Sequence, residues 1–211
     1  MKIEGKKILF LGAHADDVEI GCGGTLFKLK PKNEIYIRTF SSCEESVPKG
    51  FDKDTLQKEF LGAMDFLQPN NFDLLDFPVR RFSEHRQDIL ETLYSFGKEL
   101  KPDIVFYHSE LDKHQDHAVI NQEAYRAFKK NSILITYEVP NNSVSSEFNY
   151  FIALNEWEVT QKIKLISFYK TQAFKHQIRE EVIRAILVCD GVQIDTKYAE
   201  KFKIVKTKWV D

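Results

Sequence analysis

The stretch Leu9-Phe10-Leu11-Gly12-Ala13-His14-Ala15-Asp16-Asp17 decides how this chain folds. An apolar run of strand length stops against side chains that bind metals or move protons, and Asp17–Lys30 then reads as a helix opening at that cluster. A strand emptying into a helix through a short polar turn is the repeating step of a parallel α/β sheet. The step recurs at Ile104-Val105-Phe106-Tyr107, which leads into Asp112-Lys113-His114-Gln115-Asp116-His117.

Outward from these two points, strand-length apolar runs alternate with segments of helical period. Glu34–Phe40 reads as a strand, Ser41–Gly50 as a polar loop, and Asp54–Leu67 as a helix with Leu56, Phe60, Ala63, Met64 and Leu67 on one face. Phe72–Leu75 is a short strand, and Ser83–Leu100 a helix burying Ile89, Leu90, Leu93 and Phe96. Pro102–Tyr107 is a strand, His117–Lys130 a helix, and Ile133–Tyr137 a strand. The last third predicts strands at Phe148–Leu154 and Phe202–Lys206 around helices at Glu156–Ser167 and Ile178–Val188. The order implies one α/β domain, a mostly parallel sheet with helices on both faces.

With 211 residues the chain is long enough to bury one substantial core, and no linker or internal repeat divides it. Its net charge of -2 provides no bulk basic field, which argues against nucleic acid as a partner. No stretch reaches the ~20 apolar residues of a membrane span, and the apolar run after Lys6 and Lys7 is too short for a signal peptide. Cys22, Cys43 and Cys189 are odd in number and scattered, as expected of a reduced, cytoplasmic protein. A homo-oligomer is compatible with all of this.

In an open α/β sheet, ligands bind beyond the carboxyl ends of the strands, where strand order reverses. The fold would therefore bring the two clusters together. His14 and Asp17 are close enough in a turn to hold one ion, and His117 would complete a set of two histidines and one carboxylate. Such a set leaves a position open for water, as catalytic zinc sites do, and also matches the facial triad of non-haem iron. The ligands alone do not settle the metal: Zn2+, Fe2+ or another divalent ion would fit as the cofactor. A metal lowers the pKa of bound water to about 7, and hydrolysis then needs a base and a group to stabilise the oxyanion. Asp16 is the candidate base and His114 the candidate stabiliser, with Asp116 or Asp112 to orient its ring.

Each residue also has a plainer reading. Asp16 and Asp17 could cap a helix. His85, His108 and His176 stand apart from the clusters and read as structural or surface residues. Gly21, Gly23 and Gly24 would let a substrate or loop approach the first helix closely. Arg80 and Arg81, between apolar neighbours, are either a solvated turn or a substrate-binding pair; Arg86 and Glu138 are further candidates for substrate contact.

Together these residues resemble the PIG-L/LmbE-like family of zinc-dependent N-deacetylases. The family's A-H-P-D-D-x-E motif is matched by Ala13-His14-Ala15-Asp16-Asp17-Val18-Glu19, and its D-x-H-x-D-H motif by Asp112, His114, Asp116 and His117. The resemblance implies a Rossmann-like, three-layer αβα fold. It also implies zinc on His14, Asp17 and His117, Asp16 as base, and His114 as stabiliser with Asp116 behind it. The implied activity is removal of the acetyl group from a small-molecule N-acetylated sugar of the N-acetylglucosamine type. An amide hydrolase for another acyl group, or a metal- or carbohydrate-binding protein without catalysis, are the rival expectations. Two positions depart from the pattern: Ala15 replaces the usual proline, and Leu56 stands where many members carry a substrate-binding arginine. Sugar recognition should then fall to Arg80, Arg81 or Arg86.

Overall fold

The computed structural model describes residues 3–143 and 147–207. Among them runs a seven-stranded sheet in the order β3-β2-β1-β4-β5-β7-β6. Strands β1 (Lys7–His14), β2 (Glu34–Ser41), β3 (Asn71–Leu74), β4 (Ile104–His108) and β5 (Ile133–Tyr137) are parallel. β7 (Tyr198–Lys206) runs antiparallel between β5 and β6 (Tyr150–Leu154). The chain is a mostly parallel αβα sandwich, as the alternation implies.

The alternation of β1 shows how the layers form. Ile8 and Phe10 enter one apolar core with Val18 and Leu26 of α1 (Asp17–Leu29), Phe60 and Met64 of α2 (Thr55–Leu67), Val159 of α5 (Glu156–Ile166) and Leu187 of α6 (Glu180–Val192). Leu9 and Leu11 point the other way, onto Ile89 and Leu93 of α3 (Arg86–Leu100) and Ile120 of α4 (Gln115–Phe128). A strand apolar on both faces is what a sheet covered on both sides requires. The observed helices match the predicted ones closely. The main difference lies at Phe82–His85, a 3-10 turn ahead of α3. The expected loop Ser41–Gly50 gives Ser41 to β2 and is otherwise a connection containing one 3-10 turn, Glu44–Ser46.

The glycines of α1 serve packing rather than substrate approach. A Cβ on Gly21 would sit 2.3 Å from the Tyr137 ring, and one on Gly24 would sit 2.3 Å from Leu154 Cδ1. Between them Lys162 reaches into the helix: its Nζ donates to Ile20 O and to Glu200 Oε1, both at 2.6 Å. Glu200 accepts the N–H groups of Gly24 and Thr25 at 2.9 and 2.7 Å. The glycines thus admit a buried ion pair and an aromatic ring to the flank of α1.

β2 and β4 flank β1 on opposite sides, so the chain order reverses at the β1/β4 boundary. Both His/Asp clusters leave the sheet there, at its carboxyl end.

Candidate metal centre and active site

His14 is the last residue of β1, and the chain turns sharply after it. Asp16 adopts φ 105°, a left-handed conformation that costs a non-glycine residue about 1–3 kcal/mol and tends to persist at functional sites. The turn does not use its carboxylates as caps. Asp16 makes no capping hydrogen bond, and Asp17 Oδ2 turns back to accept the His14 N–H at 2.8 Å.

From the other side, Asp112 Oδ1 accepts the His114 N–H at 2.9 Å, bracing the loop that enters α4. His114 is the N-cap of α4, its Nδ1 accepting the Asp116 N–H at 3.3 Å. His117 then falls in the first turn and faces β1. Three donors meet: His14 Nδ1 and His117 Nε2 are 3.1 Å apart, and Asp17 Oδ2 lies 3.4 Å from the first and 3.3 Å from the second. Metal bonds of about 2.0–2.2 Å in tetrahedral array require donors about 3.3–3.6 Å apart, so this triangle fits one face of a tetrahedral site. Overlapping donor groups that include His114 or His108 can be drawn around the same point. The set with His114 lacks a carboxylate, and in the set with His108 the Nε2 atom already accepts the Ala13 N–H, so the triangle of His14, Asp17 and His117 is the better cradle.

The electrostatics are those of a cation site holding protons. Burial alone would raise Asp17, but His117, His14 and His108 outweigh it and hold the carboxyl well below its usual range. Burial alone would lower His117, but the Asp17 and Asp112 carboxylates outweigh it and push it up to about 10. A bound cation would take the place of that proton.

The carboxylates behind the donors are arranged differently from the sequence expectation. Asp116 does not orient His114; its Oδ2 meets His14 Nε2 at 2.9 Å and accepts the Arg80 N–H at 2.6 Å. Asp112 Oδ2 takes His117 Nδ1 at 2.7 Å. The geometry of the α4 start explains this, since its first turn swings the Asp116 side chain towards β1 while His114 is spent on the cap. Each carboxylate holds the outer ring nitrogen of its histidine, so that once a cation displaces the cradle proton the inner nitrogen is free to ligate it. His114 is pushed down to about 4 by burial and by His14 and His117, so it is neutral. With Nδ1 accepting, its proton is on Nε2, a donor available to a substrate.

These groups open onto a cavity of about 240 Å³, lined by His14, Asp16, Asp17, His114 and His117 together with Leu56 and Arg80. That is smaller than the roughly 300–1,000 Å³ that encloses a drug-sized ligand, so it suits one end of a substrate. Asp16 is 4% exposed; burial raises it to about 6, with Lys175 opposing the rise from 3.4 Å. Of the four residues expected to touch substrate, the structure brings Arg80 to the cavity. Arg81 pairs with Glu84, Arg86 is spent on buried Glu123, and Glu138 faces Lys201. They are not among its lining residues.

Sequence reasoning missed several neighbours. His108 is fully buried, stacks on His117 with ring centroids 3.8 Å apart, and accepts the Ala13 N–H at 3.0 Å. Its place at the end of the strand beside β1 was the available signal. Asn142, Gln172, Lys175 and Gln177 also line the cavity, from segments whose sequence carries no motif.

Residues 9–128 match the PIG-L family, described as GlcNAc-PI de-N-acetylase. An uncharacterized deacetylase of Escherichia coli K12, YaiS, is 27% identical over 176 residues, covering 79% of this chain and 91% of YaiS. The N,N'-diacetylchitobiose deacetylase of Pyrococcus horikoshii superposes with a TM-score of 0.79 at 21% identity, covering 95% of this chain and 84% of its own. The 4-carboxy-2-hydroxymuconate hydratase of Pseudomonas putida KT2440 does so with 0.76 at 18% identity, covering 98% of both chains. Matched over more than half its length, and with the paired motifs brought to one donor triangle at the sheet's switch point, the chain belongs to the PIG-L deacetylase family.

Proposed function

We propose that this protein is a zinc-dependent hydrolase that removes the acetyl group from an N-acetylated amino sugar. The observation that carries the reading is the combination of an open-faced donor triangle with an ionisable carboxylate, Asp16, and a neutral imidazole donor, His114, on the same cavity. A divalent cation held by His14, Asp17 and His117 would polarise the amide carbonyl and activate water near neutral pH. Asp16 is ionised above about pH 6 and accepts the proton of the attacking water. His114 Nε2–H donates to the carbonyl oxygen as negative charge develops there. Asp112 and Asp116 keep His117 and His14 aimed inward throughout. The two-nitrogen, one-oxygen donor set suits zinc and also Fe2+, which metal analysis of purified protein separates.

In this reading Arg80 contacts the sugar, whereas Arg81, Arg86 and Glu138 are occupied by other partners. The partner is a small molecule rather than a nucleic acid, in keeping with the net charge. No helix among the described residues is long and apolar enough to cross a membrane, and the three cysteines are free, which supports a cytoplasmic, reducing location.

The test is amine release from N-acetylglucosamine, its glycosides and its phosphates, by metal-loaded protein with and without chelator. Release that chelator abolishes supports the reading, and no amine from any of them counts against it. Faster release from longer acyl amides would point to another amidase, and metal content without turnover to a binding protein. Because a hydratase shares the fold, the same samples are assayed for loss of an unsaturated acid's absorbance.

A further inference from the structure

The segment joining α5 to α6 is tied down at two points before it reaches the cavity. Tyr169 Oη donates to Glu19 Oε1 at 2.8 Å, anchoring the segment to α1. Thr171 donates its N–H and its hydroxyl to the Glu59 carboxylate at 2.9 and 2.6 Å, anchoring it to α2. Glu19 and Tyr169 are almost wholly buried, so the first tether is shielded from water. Held this way, the segment delivers Gln172, Lys175 and Gln177 to the cavity wall.

Lys175 is not used up by its neighbour. Its Nζ lies 3.4 Å from Asp16 Oδ2, longer than the roughly 2.7–2.9 Å of a tight charge-assisted bond, and its side chain is 33% exposed. Arg80 reaches the same cavity from the turn after β3. Its backbone is left-handed, φ 68°, and is held by its N–H on Asp116 and by Gln115 Nε2 donating to its carbonyl at 2.8 Å. The only carboxylate near its guanidinium among the described residues is Glu45, at 3.9 Å, with both side chains more than half exposed. An exposed pair of that length is worth little.

Among the groups lining the cavity, Asp16 and Asp17 are the carboxylates, and together they balance one divalent cation. Asp112 and Asp116 lie behind the imidazoles and are not part of the lining. Arg80 and Lys175 are left as excess positive charge, and the remaining polar wall is neutral: Ser46, Asn142, Gln172 and Gln177. We infer that the substrate carries an anionic oxygen group, phosphate or carboxylate, near its acetamide, and that Lys175 and Arg80 select for it. This deepens the deacetylase reading and rests on it for the acetamide. The charge argument itself concerns binding.

Binding is therefore measured without turnover, by calorimetry on metal-loaded protein with amine products: glucosamine, its 1- and 6-phosphates, and its 3-O-lactyl ether as the carboxylate. Inorganic phosphate alone controls for anion capture by the metal. An anionic amine should bind about tenfold or more tightly than glucosamine, the scale of one charge-assisted hydrogen bond. The phosphate and carboxylate arms show which anion is read. K175Q and R80Q should each shrink that preference, and K175R should retain it, with thermal melting confirming that the variants fold. With the N-acetylated counterparts, the preference should appear in KM rather than kcat. Equal binding of neutral and anionic amines by the wild type overturns the inference. So does a K175Q variant that weakens both alike, because Lys175 would then serve Asp16 alone. Selective anion binding with no amine release from any N-acetyl compound would leave the anion site standing and remove the deacetylase reading.

Discussion

Asp112 Oδ2 lies 2.7 Å from His117 Nδ1, and that one contact fixes which nitrogen of His117 faces Asp17. With its Nδ1 proton held by the carboxylate, the ring turns Nε2 to the cradle, where a cation would replace the proton it carries. D112N should therefore weaken divalent metal binding by about 10–100-fold while leaving the fold intact. Competition with a chromophoric chelator measures it; wild-type affinity in the variant would show that Asp112 does not orient the ligand.

The proposed mechanism gives the neighbours Asp16 and Asp17 different tasks, and substitution should separate them. D16N is expected to keep its metal and to lose about 10²–10⁴-fold in kcat. Asparagine tolerates the left-handed backbone at this position, so folding should be spared. D17N should lose the metal itself. Metal content and turnover on the same samples distinguish the two, and near-normal turnover in D16N would remove Asp16 as the base.

The Lys162–Glu200 pair is a stability element remote from the chemistry. Both side chains are nearly buried, and K162M would leave the Glu200 charge without its partner. The expected loss is about 3–5 kcal/mol, read from urea unfolding of the metal-loaded protein. G21A, which drives a methyl group into the Tyr137 ring, should cost about 1–3 kcal/mol. A change below 1 kcal/mol in both would show that the flank of α1 relaxes freely.

Asp190 gives a pH dependence separate from the candidate metal centre. Burial raises its carboxyl from 3.8 to about 6, although Lys201 opposes the shift. The folded state thus holds the proton more tightly than the unfolded chain does. Its contribution to stability is complete below pH 4 and is lost as pH rises through about 6. D190N should remove that loss, so the variant gains on the wild type between pH 4 and 6.5. Parallel stability curves across this window would contradict the assignment.

Much of the fold and half of the site were legible in the sequence. The alternation of Ile8, Leu9, Phe10 and Leu11 into two cores is a local property, and local periodicity reports it directly. His14, Asp17 and His117 were legible as a candidate donor set because their clusters lie in the connections that leave β1 and β4. His108 looked isolated in sequence because its partners, Ala13 and His117, are neighbours through the sheet and through stacking. Asp116 was matched to the wrong histidine, since spacing along α4 says nothing about the strand opposite its first turn. Lys175 had no motif, and its place depends on tethers to Glu19 and Glu59 in distant helices.

By itself the sequence determined the strand–helix alternation, the two clusters that leave the sheet at β1 and β4, and a set of residue types able to hold a cation and move a proton. These are short-range properties, set by side-chain period and by chemistry within a few residues. The tertiary structure decided which carboxylate orients which imidazole, that β7 enters antiparallel between β5 and β6, and that Arg80 and Lys175 reach the cavity while Arg81, Arg86 and Glu138 pair elsewhere. Those outcomes depend on the direction of side chains brought together from distant segments, and packing alone fixes that direction.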